Sequence, residues 1–296
     1  MKLVAKGEGE SSLAFGGQAV IEGVMIRSKR HVVICVRQPD DEILTKVEEI
    51  KSISERHRVL RLPFLRGIIA LFETLYLGVK GLQFSANANL EEEEQLNTKE
   101  MVLTFAVALA LAVFLFSILP FILTNFLNIS GMVFYVVEGV IRLAILLLYL
   151  TSVSLIGEFT RIFQYHGAEH TAINAYEAGV ELNVSNAKGF SRFHPRCGTS
   201  FILIIALISI LLFSIMPDVG FFMKIAYRIL LIPVIGTLSY EILKLSDKYK
   251  KSKIMQILVA PGLGLQYLTT RKPDEEMVEV ALEAVKKVKR LAETSL

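Results

Sequence analysis

Cysteine is scarce: the chain of 296 residues holds two, Cys35 and Cys197. Two thiols make no disulfide framework, so a reducing, cytoplasmic setting suits whatever part of the chain faces water. Net charge is also low, at +3. No basic patch is interleaved with aromatics, so nucleic acid is not an expected partner. The first ten residues are charged and polar and have no apolar core. No cleavable signal peptide is expected from them. Residues 16–28 are rich in glycine but lack the G-x-x-x-x-G-K-[ST] spacing, which excludes a phosphate loop. No internal repeat is present.

What the chain has in abundance is apolar residues. Hydrophobic side chains make up 53% of it and mean hydropathy is +0.51. That is too apolar for an ordinary soluble enzyme, yet 21% charged residues require a part that stands in water. The apolar residues gather in four runs, 101–126, 131–157, 198–216 and 221–243. Each is about long enough to span a bilayer as a helix. The connections at 127–130 and 217–220 carry no Lys or Arg, whereas 158–197 carries Arg161, Lys188, Arg192 and Arg196. Lys244, Lys248, Lys250, Lys251 and Lys253 follow the last run. Positive charge collects on the cytoplasmic side, so four spans with both termini inside satisfy the pattern. The expected fold is an α-helical multi-pass membrane protein of about four transmembrane helices with a small α+β cytoplasmic part. Glu138 and Arg142 interrupt the second run four residues apart, in the order that favours a helical ion pair, and read as a clamp between helices.

The remaining segments divide around these runs. Residues 1–61 form an N-terminal soluble part with a glycine-rich loop and a β-hairpin, 31–37 against 43–47. Within it Gln18, Glu22 and Arg27 are candidates to reach a site. His31 and His57 sit in polar surroundings and read as exposed. Residues 62–100 hold an apolar helix with Arg66, Glu73 and Lys80 at seven-residue spacing, suited to the membrane surface, and then an acidic linker at 91–94. Residues 101–157 contain spans one and two, and 158–197 a cytoplasmic His/Cys loop. Residues 198–243 contain spans three and four, and 244–296 the C-terminal segment. That segment opens with a glycine-rich turn region at 261–274 and ends in an amphipathic helix from Pro273 to about Leu291.

The chemistry concentrates in YHGAEHTAINAYE (165–177). His166 and His170 are four residues apart, which stacks both imidazoles on one helical face. Glu169 beside them makes H-x-x-E-H, the inverse of the commoner zinc-hydrolase motif. Asn174 and Glu177 continue the same face, and Gly179 reads as the helix stop. A second cluster, RFHPRCGTS (192–200), holds His194, Arg196 and Cys197 in a turn set by Pro195 and Gly198. The candidate metal ligands are His166, His170, His194 and Cys197, with Glu169 as general base. Glu177, Asn174, Glu22, Arg196 and Glu241 are candidates for supporting contacts. Imidazole and thiolate favour zinc among divalent ions.

Together GGQAVIEGVMIR (16–27), YHGAEHTAINAYE (165–177), RFHPRCGTSF (192–201) and PGLGLQYLTTRKPDEEMVEVAL (261–282) resemble the YqhQ-like family of bacterial membrane proteins. That family is a domain of unknown function labelled as metal-dependent enzymes. The resemblance implies a multi-pass protein of the bacterial inner membrane and implies no particular reaction. The residues themselves suggest a membrane-embedded, metal-dependent hydrolase, with a peptide or amide bond favoured and an unknown protein or peptide as substrate. The competing expectation is a non-catalytic assembly factor or transporter that uses the His/Cys cluster as a structural metal site or polar clamp.

Overall fold

The computed structural model describes residues 15–53, 58–62, 65–91, 95–217, 219–249 and 252–294. The polar lead-in, His57 and most of the acidic run at 91–94 lie outside them. The chain is mostly helical, with one small antiparallel sheet near its N-terminus. The strands run β1 (Gly16–Val20), β2 (Gly23–Arg27), β3 (His31–Arg37) and β4 (Ile43–Glu49), each paired with the next. The expected hairpin is β3–β4. The glycine-rich stretch before it makes a second hairpin, turning at Ile21-Glu22 with Glu22 at φ +51°.

Among the described residues nine helices follow. They are α1 (Leu65–Asn87), α2 (Thr98–Asn125), α3 (Gly131–Ser154), α4 (Gly157–Glu177) and the single turn α5 (Val184–Ala187). After these come α6 (Gly198–Ser214), α7 (Phe221–Lys248), α8 (Lys253–Thr269) and α9 (Glu275–Glu293). A 3-10 turn at Arg58–Arg61 precedes α1.

The sheet is covered on both faces, which is why β2 and β3 are nearly continuous in apolar residues instead of alternating. Val24, Ile26, Val33 and Cys35 pack against α4 and α9. Val20, Met25, Val32, Ile34 and Val36 pack against Leu77 of α1. The amphipathic C-terminal helix thus completes a core begun by the N-terminal strands, with Met277, Val280, Ala281, Ala284 and Val288 buried in it. Asp274 caps α9 by accepting from the Met277 amide at 2.8 Å.

Among the described residues three helices are long and apolar enough to cross a membrane: 98–125, 131–154 and 221–245. The apolar helix α6 is shorter, at 17 residues. Inside α2 the backbone widens into a π turn at Phe114–Ile118, just ahead of Pro120. Proline has no N–H to give the carbonyl four residues back. That carbonyl belongs to Phe116, and Arg142 Nε donates to it at 2.8 Å.

Arg142 is half of the expected clamp, and the clamp is larger than a pair. Glu138 accepts from Arg142 Nη2 at 2.7 Å and from Arg228 Nη2 of α7 at 2.7 Å. Arg142 also donates to Ser209 of α6. Arg228 lies over the Phe121 ring, 4.1 Å from its centroid. All three charged groups are buried. The cluster therefore ties α2, α3, α6 and α7 together.

The helix α1 lies between sheet and bundle. Gly67 and Gly236 let it approach α7 closely, and Gly78 and Gly81 let it approach β1 and β2. The turn region expected at 261–274 is instead the last half of α8 followed by an extended connection. Pro261 sits on an exposed side of that helix, and Gly262 faces Ser200 so closely that a Cβ would stand 2.5 Å from its Oγ. The two residues that suggest a turn thus serve outward-facing and packing positions within a helix.

Candidate metal centre

The helix α4 carries the histidine face because its neighbours demand small residues beside it. Ala168, Ala172 and Ala175 are fully buried against the sheet and α9. Gly167 is required by the chain after α8: a Cβ there would stand 2.1 Å from the Arg271 carbonyl oxygen. Arg271 in turn donates its amide to the Phe163 carbonyl at 2.8 Å. Gly179 ends the helix in the left-handed region, at φ +71°.

On the opposite side from these contacts, His166, His170 and Cys197 bring one donor atom each to within 4.8 Å of one another. His166 Nε2 lies 3.2 Å from Cys197 Sγ. Each imidazole is oriented from behind by a backbone carbonyl. His166 Nδ1 donates to the Thr269 carbonyl at 2.8 Å, and His170 Nδ1 to the Arg192 carbonyl at 2.6 Å. These bonds fix the tautomer and leave both Nε2 atoms with free lone pairs, the arrangement found behind metal-binding histidines. Cys197 is the N-cap of α6, where it accepts from the Thr199 amide at 3.4 Å.

Burial governs the protonation of the group. It drives His170 down to about 2, helped by the neighbouring His166, so the ring is neutral and its lone pair is available. Burial pushes the Cys197 thiol up to about 11, against the opposing bonds from Thr199. The thiol stays protonated at neutral pH unless a cation beside it favours the thiolate. Glu169 is also pushed up, to about 7, by burial, against the pull of His166 and Arg196. Its Oε2 lies 3.5 Å from His170 Nε2. Two imidazoles turned toward each other and a thiol that ionises only beside a cation form a donor set suited to a zinc-like ion.

The other expected residues are distributed around this centre. His194 is buried next to it, with its ring centroid 5.7 Å from that of His170. Its Nδ1 accepts from the Arg196 amide and its Nε2 lies 3.6 Å from Glu177, so it is outside the three-donor group. Glu177 also pairs with Arg196, and Asn174 donates to the carbonyls of Ser191 and Phe193. These contacts fasten the 191–197 turn to α4. Glu22, in the turn between β1 and β2, is held by Arg161 Nε at 2.6 Å and Nη2 at 2.5 Å and by the Tyr165 hydroxyl at 3.3 Å, both residues of α4.

Three expected approaches to the site are not made. Glu241 is drawn away by a two-pronged bond with Arg66. Gln18 donates to the Gly78 carbonyl, and Arg27 pairs with Glu73, both on α1. From the glycine-rich strand it is Gly17 that reaches the centre: a Cβ there would stand 2.6 Å from Glu169 Oε1.

Sequence reasoning passed over Gln266 and Thr269 of α8. Gln266 is fully buried and grips the His194 backbone in both directions, donating to its carbonyl at 2.8 Å and accepting from its amide at 2.9 Å. A lone Gln in a glycine-rich stretch carries no spacing signal. A helical reading of 253–269 places Gln266 and Thr269 three apart on one face, and that is the signal that was there to find.

The sequence places the chain in a family of proteins of unknown function. It belongs to the family described as "Protein of unknown function (DUF1385)", whose model matches residues 62–291. It is 36% identical over 298 residues to the uncharacterized protein YqhQ of Bacillus subtilis (strain 168), covering 94% of this chain and 93% of that one. No solved structure matches it.

Proposed function

We propose that the chain is a multi-pass bacterial membrane protein with a metal-dependent hydrolytic centre on its cytoplasmic side. The observation that carries the reading is the convergence of His166, His170 and Cys197, with both imidazoles oriented by backbone carbonyls. These three residues would hold a divalent ion, zinc by donor chemistry. Such an ion supplies Lewis-acid polarisation and makes water a usable nucleophile source at neutral pH. Glu169 is the group that accepts and returns the proton, since burial sets its carboxyl near the operating pH. Gln266 and Asn174 keep the 191–197 turn in register with α4, and Arg196 holds Glu177 beside His194. The inverted H-x-x-E-H order favours a peptide or amide bond as substrate.

The test is elemental analysis of the full chain in mild detergent, beside a His166→Ala/His170→Ala variant. About one metal per chain, lost in the variant, supports the site, as a three-residue set requires. No metal in either protein overturns it. In Glu169→Gln the metal should stay while peptide hydrolysis disappears; loss of metal there would refute the role of proton carrier.

A second reading rests on His194, a fourth donor residue at the edge of the group. A metal enclosed by four protein ligands is structural, and the chain would then be a non-catalytic assembly factor or transporter. His194→Ala separates the two. Metal retained in that variant favours the open, catalytic centre, and metal lost favours the closed one.

A further inference from the structure

The helix α8 has two unlike faces. One carries Gly262, Leu265, Gln266 and Thr269, all buried against α6, α3 and the histidine cluster. Beyond the exposed Lys253 of its first turn, the other carries Gln256, Ile257, Ala260, Pro261, Gly264 and Tyr267, all exposed and all uncharged. Ile257 is 73% and Tyr267 62% exposed. A helix facing water in this same protein looks different: the outer face of α9 carries Glu275, Glu279, Glu283, Lys286 and Arg290. An uncharged outer face calls for an apolar cover.

The geometry of α8 says where that cover lies. Thr269 Oγ1 meets Thr199 Oγ1 at 3.1 Å, and Gly262 meets Ser200. Residues 262 and 269 are about 10 Å apart along α8, at 1.5 Å per residue. Their partners are consecutive residues in the first turn of α6. The helix α8 therefore runs across the head of α6, not alongside it. If α6 crosses a bilayer, α8 lies in the plane of its surface. Two features of the sequence fit that level. Lys244, Lys248, Lys250 and Lys251 lead into α8 and Lys253 opens it, matching anionic headgroups. At its other end Tyr267 packs on Phe193, centroids 4.5 Å apart, with Arg192 over Phe193, an interfacial composition.

We propose that α8 is docked in the headgroup region of an anionic leaflet and forms the wall between the bilayer and the His/Cys cluster. Its outer face rests on lipid, while its inner face supplies the Thr269 carbonyl behind His166 and the Gln266 clasp on His194. Where the cluster is the hydrolytic centre proposed above, its substrate is then a membrane-resident amphiphile whose scissile bond lies at headgroup depth.

The chain has no tryptophan, so a single one reports without background. Tyr267→Trp and, separately, Ile257→Trp are placed in vesicles of phosphatidylcholine and phosphatidylglycerol brominated either near the headgroup or at the chain end. Both tryptophans should be quenched about twofold more strongly by the shallow bromines than by the deep ones, and hardly at all by aqueous iodide. Quenching by iodide with no response to bromine overturns the proposal. So does a shallow Trp at one position and a deep one at the other, which would mean that α8 crosses the bilayer. If the Tyr267 variant fails to fold, the Ile257 variant decides alone between lipid and water. The readout involves neither metal nor turnover, so its failure leaves the metal reading standing, and the reverse also holds.

Discussion

Two glycines lie against the histidine helix where a methyl group would not fit. At Gly167 a methyl group would collide with the Arg271 carbonyl, a backbone atom that cannot swing aside. Gly167→Ala is expected to lower stability by about 1–3 kcal/mol, the usual cost of overpacking, measured as the midpoint of unfolding in detergent. At Gly17 the methyl would meet the Glu169 carboxylate, a side chain that can move. Gly17→Ala should therefore leave the fold nearly unchanged and still alter the centre, seen as lost hydrolysis with metal retained. Glu22 supplies a pH dependence away from the donors. The Arg161 bonds hold its carboxyl below the usual carboxylate range. A depressed folded-state value means that the contribution is present above the unfolded value, about 4.3, and is lost as pH falls below it. Arg161 is half exposed, so the effect is small, below about 1 kcal/mol. Unfolding midpoints of Glu22→Gln and the parent chain should stay apart down to about pH 5 and converge on further acidification to well below the unfolded value of about 4.3; a constant gap throughout would refute the assignment. At this scale the sequence was partly legible. The four-residue spacing of His166 and His170, with His194 and Cys197 following, names four residues, of which His166, His170 and Cys197 bring their donor atoms together. The carbonyls of Thr269 and Arg192 left no trace, because a backbone oxygen has no residue type. Gly17 was hidden for a related reason: a glycine's use is the atom that replaces its side chain.

Among the elements, the apolar helices were readable because their signal is summed over many residues. Their ties were less so. The pair Glu138–Arg142 shows itself as a four-residue spacing on one helix. Arg228 is some ninety positions on, and only the fold brings it to the same carboxylate. The role of Pro120 is likewise relational: it frees the Phe116 carbonyl that Arg142 then takes. The helix α8 was missed because Pro261 and two glycines outweigh a short apolar pattern when the neighbouring helix is unknown. The clamp permits a sharp expectation. Removing its one acid leaves two buried guanidinium groups without their counter-charge. Glu138→Ala should cost about 3–5 kcal/mol, whereas replacing a partly exposed acid such as Glu48 should cost under about 1 kcal/mol. Thermal unfolding in one detergent compares the two, and equal midpoints would mean that the cluster contributes nothing to holding α3 against α7.

At the scale of the whole molecule, the shared core of the sheet and α9 constrains topology. Val24, Ile26, Val33 and Cys35 from the N-terminal strands pack with Val280, Ala281, Ala284 and Val285 from the last helix. Segments that share a core lie on one side of any membrane. The chain between them must then cross an even number of times. Among the described residues three helices are of full spanning length, an odd number, so if all three cross a bilayer one more crossing is needed. With 17 residues, α6 is at the lower limit for a spanning helix and is apolar throughout. The helix α1 is a poorer choice, since it carries Arg66, Glu73 and Lys80 in ion pairs and is packed under the sheet. Four crossings put the 126–130 turn on the side opposite the sheet. Cysteine labelling tests this directly, because the two native thiols are buried and give little background. In intact cells Asn128→Cys should react with an impermeant maleimide, and Asp40→Cys should react only after the membrane is opened. Labelling of both from outside, or of Asp40→Cys alone, would overturn the four-crossing arrangement and with it the cytoplasmic placement of the His/Cys centre.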